Sequence, residues 1–124
     1  MISNYKVPNE TGADLRVFEL QAEICQTLAN PKRLQIVHLL KGAELSVTEI
    51  VNAMGIPKAK ASQHLSLMRQ KGIILSRREG TSIFYRLSSP KITEACALMR
   101  EVLLTLLAGQ ETLSRSIHAI KEKL

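Results

Sequence analysis

Tryptophan is absent from the 124 residues, and phenylalanine and tyrosine occur only twice each. An apolar content of 45% must therefore be carried by Leu, Ile, Val, Met and Ala, the make-up of a helix-leaning globular chain long enough for one domain. The two cysteines, Cys25 and Cys96, are too few for a disulfide framework and have no CxxC spacing, which fits a reducing compartment. No run of about 18 apolar residues is present, so no membrane span is expected. The opening MISNYKVPNETGADL lacks the basic end and apolar stretch of a secretory signal, and a cytoplasmic location follows as the expectation. Phosphate-binding glycine loops, dinucleotide fingerprints, paired carboxylates on one helical face and usefully spaced Cys-His pairs are all missing. The chain is thus expected to be neither an enzyme nor the carrier of a cofactor.

Acid is missing from one particular segment. Residues 57–91 hold Lys58, Lys60, Arg69, Lys71, Arg77, Arg78, Arg86 and Lys91 against a single acid, Glu79, whereas the rest of the chain is close to neutral. The formal charge of +6 is therefore concentrated in this segment. A solvated face would mix its signs, so a polyanion-binding surface is indicated, with nucleic acid as the partner.

The order of elements can be read from periodicity and caps. Residues 1–13 are polar and carry Pro8 and Gly12, the signature of a loose arm. A first helix over about 14–29 places Phe18, Ala22, Cys25 and Ala29 on one stripe, with Val17, Leu20, Ile24 and Leu28 beside it. Asn30 ahead of Pro31 caps a second helix, whose apolar side holds Leu34, Val37 and Leu40. Ser46 and Glu49 have capping-box spacing and open a short third helix that ends near Gly55. A fourth helix, PKAKASQHLSLMRQKG, stops at Gly72. The runs around Glu79 and Gly80 form a β-hairpin. A last helix starts at Ser89 and Pro90, bends near Gly109 and carries a heptad-type seam of Ile92, Cys96, Met99, Leu103, Leu106, Gln110, Leu113, Ile117, Ile120 and Leu124. Because this strip outlasts the needs of a single small domain, a second copy of the chain is the expected partner.

At about 100° per residue, the fourth helix turns Ala61, Leu65 and Met68 inward and Ala59, Ser62, Gln63, Ser66 and Gln70 outward. Lys58 and Arg69 edge one side of the outward arc, and Lys60 and Lys71 edge the other. Neutral donors and acceptors flanked by cations suit a helix in a DNA major groove, where the cations reach the two phosphate strands. The short capped helix before it completes a helix-turn-helix, and the hairpin bearing Arg77 and Arg78 makes a wing. The expected fold is a mainly α winged helix-turn-helix with a β-hairpin and about five helices.

The stretches LANPKRLQIVHLL, ELSVTEI, SQHLSLMRQKGII and FYRL together resemble the ArsR/SmtB group of winged-helix transcriptional repressors. The resemblance spans residues 28–107. It implies a homodimer paired through its first and last helices, a fourth helix reading a palindromic operator in double-stranded DNA, and a small inducer that releases the DNA. It also makes Ser62, Gln63 and His64 the DNA-facing part of the recognition helix, although the helical wheel places His64 nearer the core flank, where anchoring or phosphate contact suits it better. On this reading residues 14–107 are the DNA-binding and dimerisation domain, and residues 108–124 are a helical extension.

The departures from the family pattern concern the sensor. Ser46 and Thr48 stand where many metal-sensing members have cysteines, and neither is a soft-metal ligand. Ser89, Lys91, Val102 and Thr105 occupy the positions of the family's carboxylate and histidine site, so no metal site is expected. Pro57 replaces a usual capping serine, and Lys58 and Lys60 replace neutral residues. Cys25 and Cys96 remain as sensor thiols for reactive sulfur or redox chemistry. Sulfur-responsive members also use a cysteine pair, although one of theirs aligns near His38 and the other lies later in the last helix. Two alternatives stay open, a thiolate site for a metalloid or metal and a ligand-independent architectural DNA-binding protein.

Overall fold

The computed structural model describes residues 12–109 and 111–123, with the side chains of 12, 13, 111–114 and 116 excepted. Within this range the elements run α1 (Gly12–Leu28), α2 (Pro31–Leu39), β1 (Leu45–Ser46), α3 (Val47–Met54), α4 (Lys58–Gln70), β2 (Ile74–Glu79), β3 (Ser82–Leu87), α5 (Lys91–Ala108) and α6 (Glu111–Lys123). The chain divides into two compact units, one ending at Ser88 and the other beginning at Ser89. No helix among the described residues is long and apolar enough to cross a membrane.

Local chemistry sets the boundaries in the first unit. The Asn30 side chain accepts from the backbone N–H groups of Lys32 at 2.9 Å and Arg33 at 3.2 Å, and Pro31 fills the first turn of α2. At α3 the capping box is closed in both directions: Ser46 Oγ accepts from Glu49 N at 3.1 Å, and Glu49 Oε1 accepts from Ser46 N at 2.9 Å. Gly55 ends α3 with φ +65°, a left-handed conformation that makes the tight helix-to-helix turn. In the hairpin, Glu79 pairs with Ser82 across Gly80 and Thr81, and Gly80 takes φ +63°.

The core of this unit is built from Ile36, Val37, Leu40, Ile50, Ala61, Leu65, Met68, Ile73 and Ile74, each at most 1% exposed. All three residues expected on the inner stripe of α4 are among them. Strands pair in the order β1-β3-β2, all antiparallel, so the wing is three-stranded. The extra strand, Leu45–Ser46 against Tyr85 and Phe84, is too short to show a period in sequence.

Three expectations change. Leu34 is 40% exposed, and Ile36 takes the buried position expected of it on α2. The stripes on α1 are mostly exposed, with Val17 at 61% and Phe18 at 43%; among the described side chains of this helix only Thr27 is buried. The last helix is two helices, α5 and α6, on either side of Gly109, and α6 packs against α5. The heptad seam therefore does not run along one rod. Its Gln110 and Leu124 lie outside the described residues, and Ile117 is its one buried member among the described side chains. Most of the expected loose arm, residues 1–11, also lies outside the described residues, while Gly12 and Ala13 belong to α1.

Removing the Leu65 side chain from its fully buried position tests this core. Leu65→Ala is expected to lower the unfolding free energy by about 2–5 kcal/mol, and Leu34→Ala by much less. Urea unfolding at one fixed protein concentration measures both.

Candidate nucleic-acid interface

The interface is built on α4. With Ala61, Leu65 and Met68 fully buried, the helical period turns Ala59, Ser62, Gln63, Ser66 and Gln70 to solvent, and all five are exposed. Lys58, Lys60 and Arg69 are exposed beside them and make no ion pair among the described residues. Thirteen residues rising about 1.5 Å each give a helix of roughly 20 Å, which a major groove admits. The hydrogen-bonding face is therefore exposed, with Lys58, Lys60 and Arg69 beside it. Pro57 precedes the helix without a side-chain cap.

The remaining predicted cations divide by what they touch. Lys71 donates to Glu23 Oε1 at 3.0 Å, tying the end of α4 to α1, and this contact holds the Glu23 carboxyl below its ordinary pKa. Arg77 bridges two carboxylates: its Nε lies 2.9 Å from each Glu44 oxygen, and its Nη1 lies 2.7 Å from Glu79 Oε2. Its guanidinium also stacks 4.7 Å from the centre of the Phe84 ring. These hydrogen bonds raise the Arg77 pKa and lower that of Glu44. Arg77 is thus held within the wing rather than left free. Arg78 is exposed and makes no ion pair among the described residues, and strand alternation turns it to the opposite face.

His64 is half-buried and faces α2, as its place near the core flank suggested. Arg33 Nη1 lies 3.3 Å from His64 Nδ1, and Arg33 Nε donates to the carbonyl of Thr27 at the end of α1. Thr27 is itself buried, with its hydroxyl donating to the Glu23 carbonyl at 2.8 Å. Burial first, then the charges of Arg33, Lys60 and Lys32, hold the His64 pKa below its ordinary value. Sequence reading passed over Arg33. A signal for it existed: Lys32 and Arg33 stand in the first turn of α2, which has no acid, against the preference of a helix N-terminus for negative charge.

Residues 30–76 match the family model described as "Bacterial regulatory protein, arsR family". The chain is 32% identical to the uncharacterised HTH-type transcriptional regulator Rv0081 of Mycobacterium tuberculosis, over 83% of this chain and 91% of that protein. The chain belongs to the arsR family. The crystal structure of Rv0081 superposes with a TM-score of 0.69, covering 76% of this chain and 95% of that one. Similarity extends to the transcriptional repressor PagR of Bacillus anthracis, 36% identical over 68% of this chain and 85% of PagR. It also extends to the winged helix-turn-helix domain Mb0332 of Mycobacterium bovis, with 30% identity and a TM-score of 0.68 over 77% of this chain and 88% of that one. The arsR-family chain is accordingly a DNA-binding transcription regulator with a winged helix-turn-helix fold, and not an enzyme.

Both thiols of this arsR-family chain are free. Cys25 is exposed on α1. Cys96 is half-buried on α5, and burial pushes its thiol pKa up, against a smaller opposing effect of Arg100. No group of three or more His, Cys, Asp or Glu residues among the described residues is arranged to hold a metal ion.

The depressed His64 pKa has a defined sign. An unfolded chain takes up this proton near pH 6.5, before the folded chain does, so His64 withdraws stability as pH falls through that region. Between about pH 7.5 and 5.5, unfolding free energy is expected to fall more steeply in wild type than in His64→Gln. Urea titrations across that range check the difference.

Proposed function

We propose that this chain is a sequence-specific transcriptional repressor that binds a palindromic operator in double-stranded DNA as a homodimer and is released by a small inducer. The observation that carries the reading is the outward face of α4, where Ser62, Gln63 and Ser66 stand exposed among Lys58, Lys60 and Arg69, cations that make no ion pair among the described residues. Uncharged side chains read base edges, while cations hold the phosphates. Arg78 on the wing adds a further phosphate contact. PagR, named a transcriptional repressor, supports the direction of regulation.

The dimer is supported by apolar surface. Leu15, Val17, Phe18, Leu20 and Ile24 are exposed on α1, and Leu98, Met99, Val102, Leu103 and Leu106 are exposed on α5. Faces of this kind are covered in a stable protein, and a second copy of the chain is the simplest cover. The Mb0332 structure is described as homodimeric. A two-fold dimer presents two copies of α4, which calls for two related half-sites. We take residues 14–107 as the DNA-binding and dimerisation domain and 108–124 as an extension, because α1 starts at Gly12 and α5 ends at Ala108; this function spans both compact units.

We assign the release step to Cys25 and Cys96. Cys25 is solvent-accessible on the apolar α1, and Cys96 lies on α5, so both thiols sit on helices with exposed apolar faces. Forming a disulfide from the pair releases two electrons and two protons, which a polysulfide or peroxide accepts.

Affinity and specificity are expected to separate by residue. Lys58→Ala and Arg78→Ala weaken binding to all duplexes and each reduce the salt slope by about one unit, whereas Arg77→Ala leaves that slope nearly unchanged. Gln63→Ala lowers the free-energy preference for operator over nonspecific DNA by about 1–3 kcal/mol. Fluorescence anisotropy at several salt concentrations measures both quantities. A wild-type ratio near unity across the upstream DNA of its own gene would leave an architectural protein instead. Cys25→Ser and Cys96→Ser are expected to stay on the operator under polysulfide or peroxide in gel-shift assays. Release by arsenite alone would make the protein a metalloid-responsive repressor.

A further inference from the structure

The charges around His64 are unbalanced in a way that its packing does not explain. Arg33, Lys32 and Lys60 all lower its pKa through their charges, and none of the three makes an ion pair among the described residues. Elsewhere in this unit Lys71 and Arg77 do meet carboxylates. A half-buried imidazole ringed by three cations with no acid is an arrangement that an anion completes.

The hydrogen bonds around the ring say which atom meets that anion. A guanidinium is always a donor, so the contact of Arg33 Nη1 with His64 Nδ1 requires Nδ1 to carry a lone pair. The imidazole is then neutral, with its proton on Nε2. Among the described residues no buried side-chain nitrogen lacks a partner and Nε2 makes no hydrogen bond, so Nε2–H is not fully buried and reaches the surface. Arg33 does not swing freely, because its Nε donates to the Thr27 carbonyl at the end of α1 while Nη1 holds the ring on α4. One side chain thus joins three helices and leaves a single N–H at a fixed place on the recognition helix.

We propose that Arg33 is a positioning residue for DNA binding, holding His64 as its neutral Nε2–H tautomer so that this N–H donates to a backbone phosphate between Lys32 and Lys60. The inference rests on the DNA-binding reading of α4 and adds a contact that is uncharged on the protein side. Lysine in place of Arg33 keeps the charge but cannot span Thr27 and His64 together, because it has one nitrogen where arginine has a fork.

Two measurements on the full chain test it. Nitrogen-15 NMR of the imidazoles at about pH 7.5, without DNA, is expected to show His64 with a pyridine-type Nδ1 and a protonated Nε2, and a mixture of tautomers in Arg33→Lys. Anisotropy titrations with operator and unrelated duplexes are expected to show His64→Ala binding every sequence about tenfold more weakly with an unchanged salt slope, while Lys60→Ala lowers the slope by about one unit. His64→Gln, which keeps an N–H donor at nearly the same reach, is expected to recover most of the loss. A dominant Nδ1–H tautomer in wild type overturns the proposal, as does a salt slope lowered by about one unit in His64→Ala, since that loss would report a charged imidazole. If wild type binds no duplex at all, the DNA-binding reading itself fails and the phosphate contact with it. The tautomer measurement still decides, without DNA, what Arg33 does to the ring.

Discussion

The seating of α4 is the constraint on which the rest depends. Ala61, Leu65 and Met68 are fully buried, and a helix fixed along one stripe has no freedom to roll. Burial on one side therefore decides what is displayed on the other. The elements around α4 serve that placement: the capped α3 ends in a left-handed glycine that turns the chain sharply into α4, and Ile73 and Ile74 continue the same core into β2 immediately after it. The wing thus starts from the same packed layer that holds α4.

Apolar packing fixes roll more firmly than position along the axis, and the polar contacts supply the second constraint. Lys71 pins the end of α4 to Glu23, and Arg33 pins its middle through His64. Both contacts lead to the last two turns of α1, where Cys25 lies between Glu23 and Thr27 in sequence. A helix whose apolar side is exposed in the single chain is therefore tied to α4 by side chains rather than by core packing alone. Within the basic segment Lys71 and Arg77 meet carboxylates, whereas Lys58, Lys60, Arg69 and Arg78 make no ion pair among the described residues.

Much of this was legible in the residues. The Asn30 cap, the Ser46 and Glu49 box, the hairpin turn and the division of α4 into inner and outer faces all follow from short-range rules, because each involves partners within a few positions of one another. The misses have one feature in common: their partners are distant in sequence. β1 exists only because β3 lies beside it, Arg77 is held by Glu44 across 33 positions, and Arg33 meets His64 across 31. The long seam failed for the opposite reason. Its spacing is regular, but the break at Gly109 starts a second helix, so the later members of the stripe do not continue the first.

By itself the sequence determined the fold class, the inner and outer faces of α4 and the excess of positive charge around it, since periodicity, caps and composition are properties of the chain. Only the tertiary structure decided which of those charges are engaged and which nitrogen of His64 is left open. That division depends on distances between side chains from different elements, and packing sets those distances.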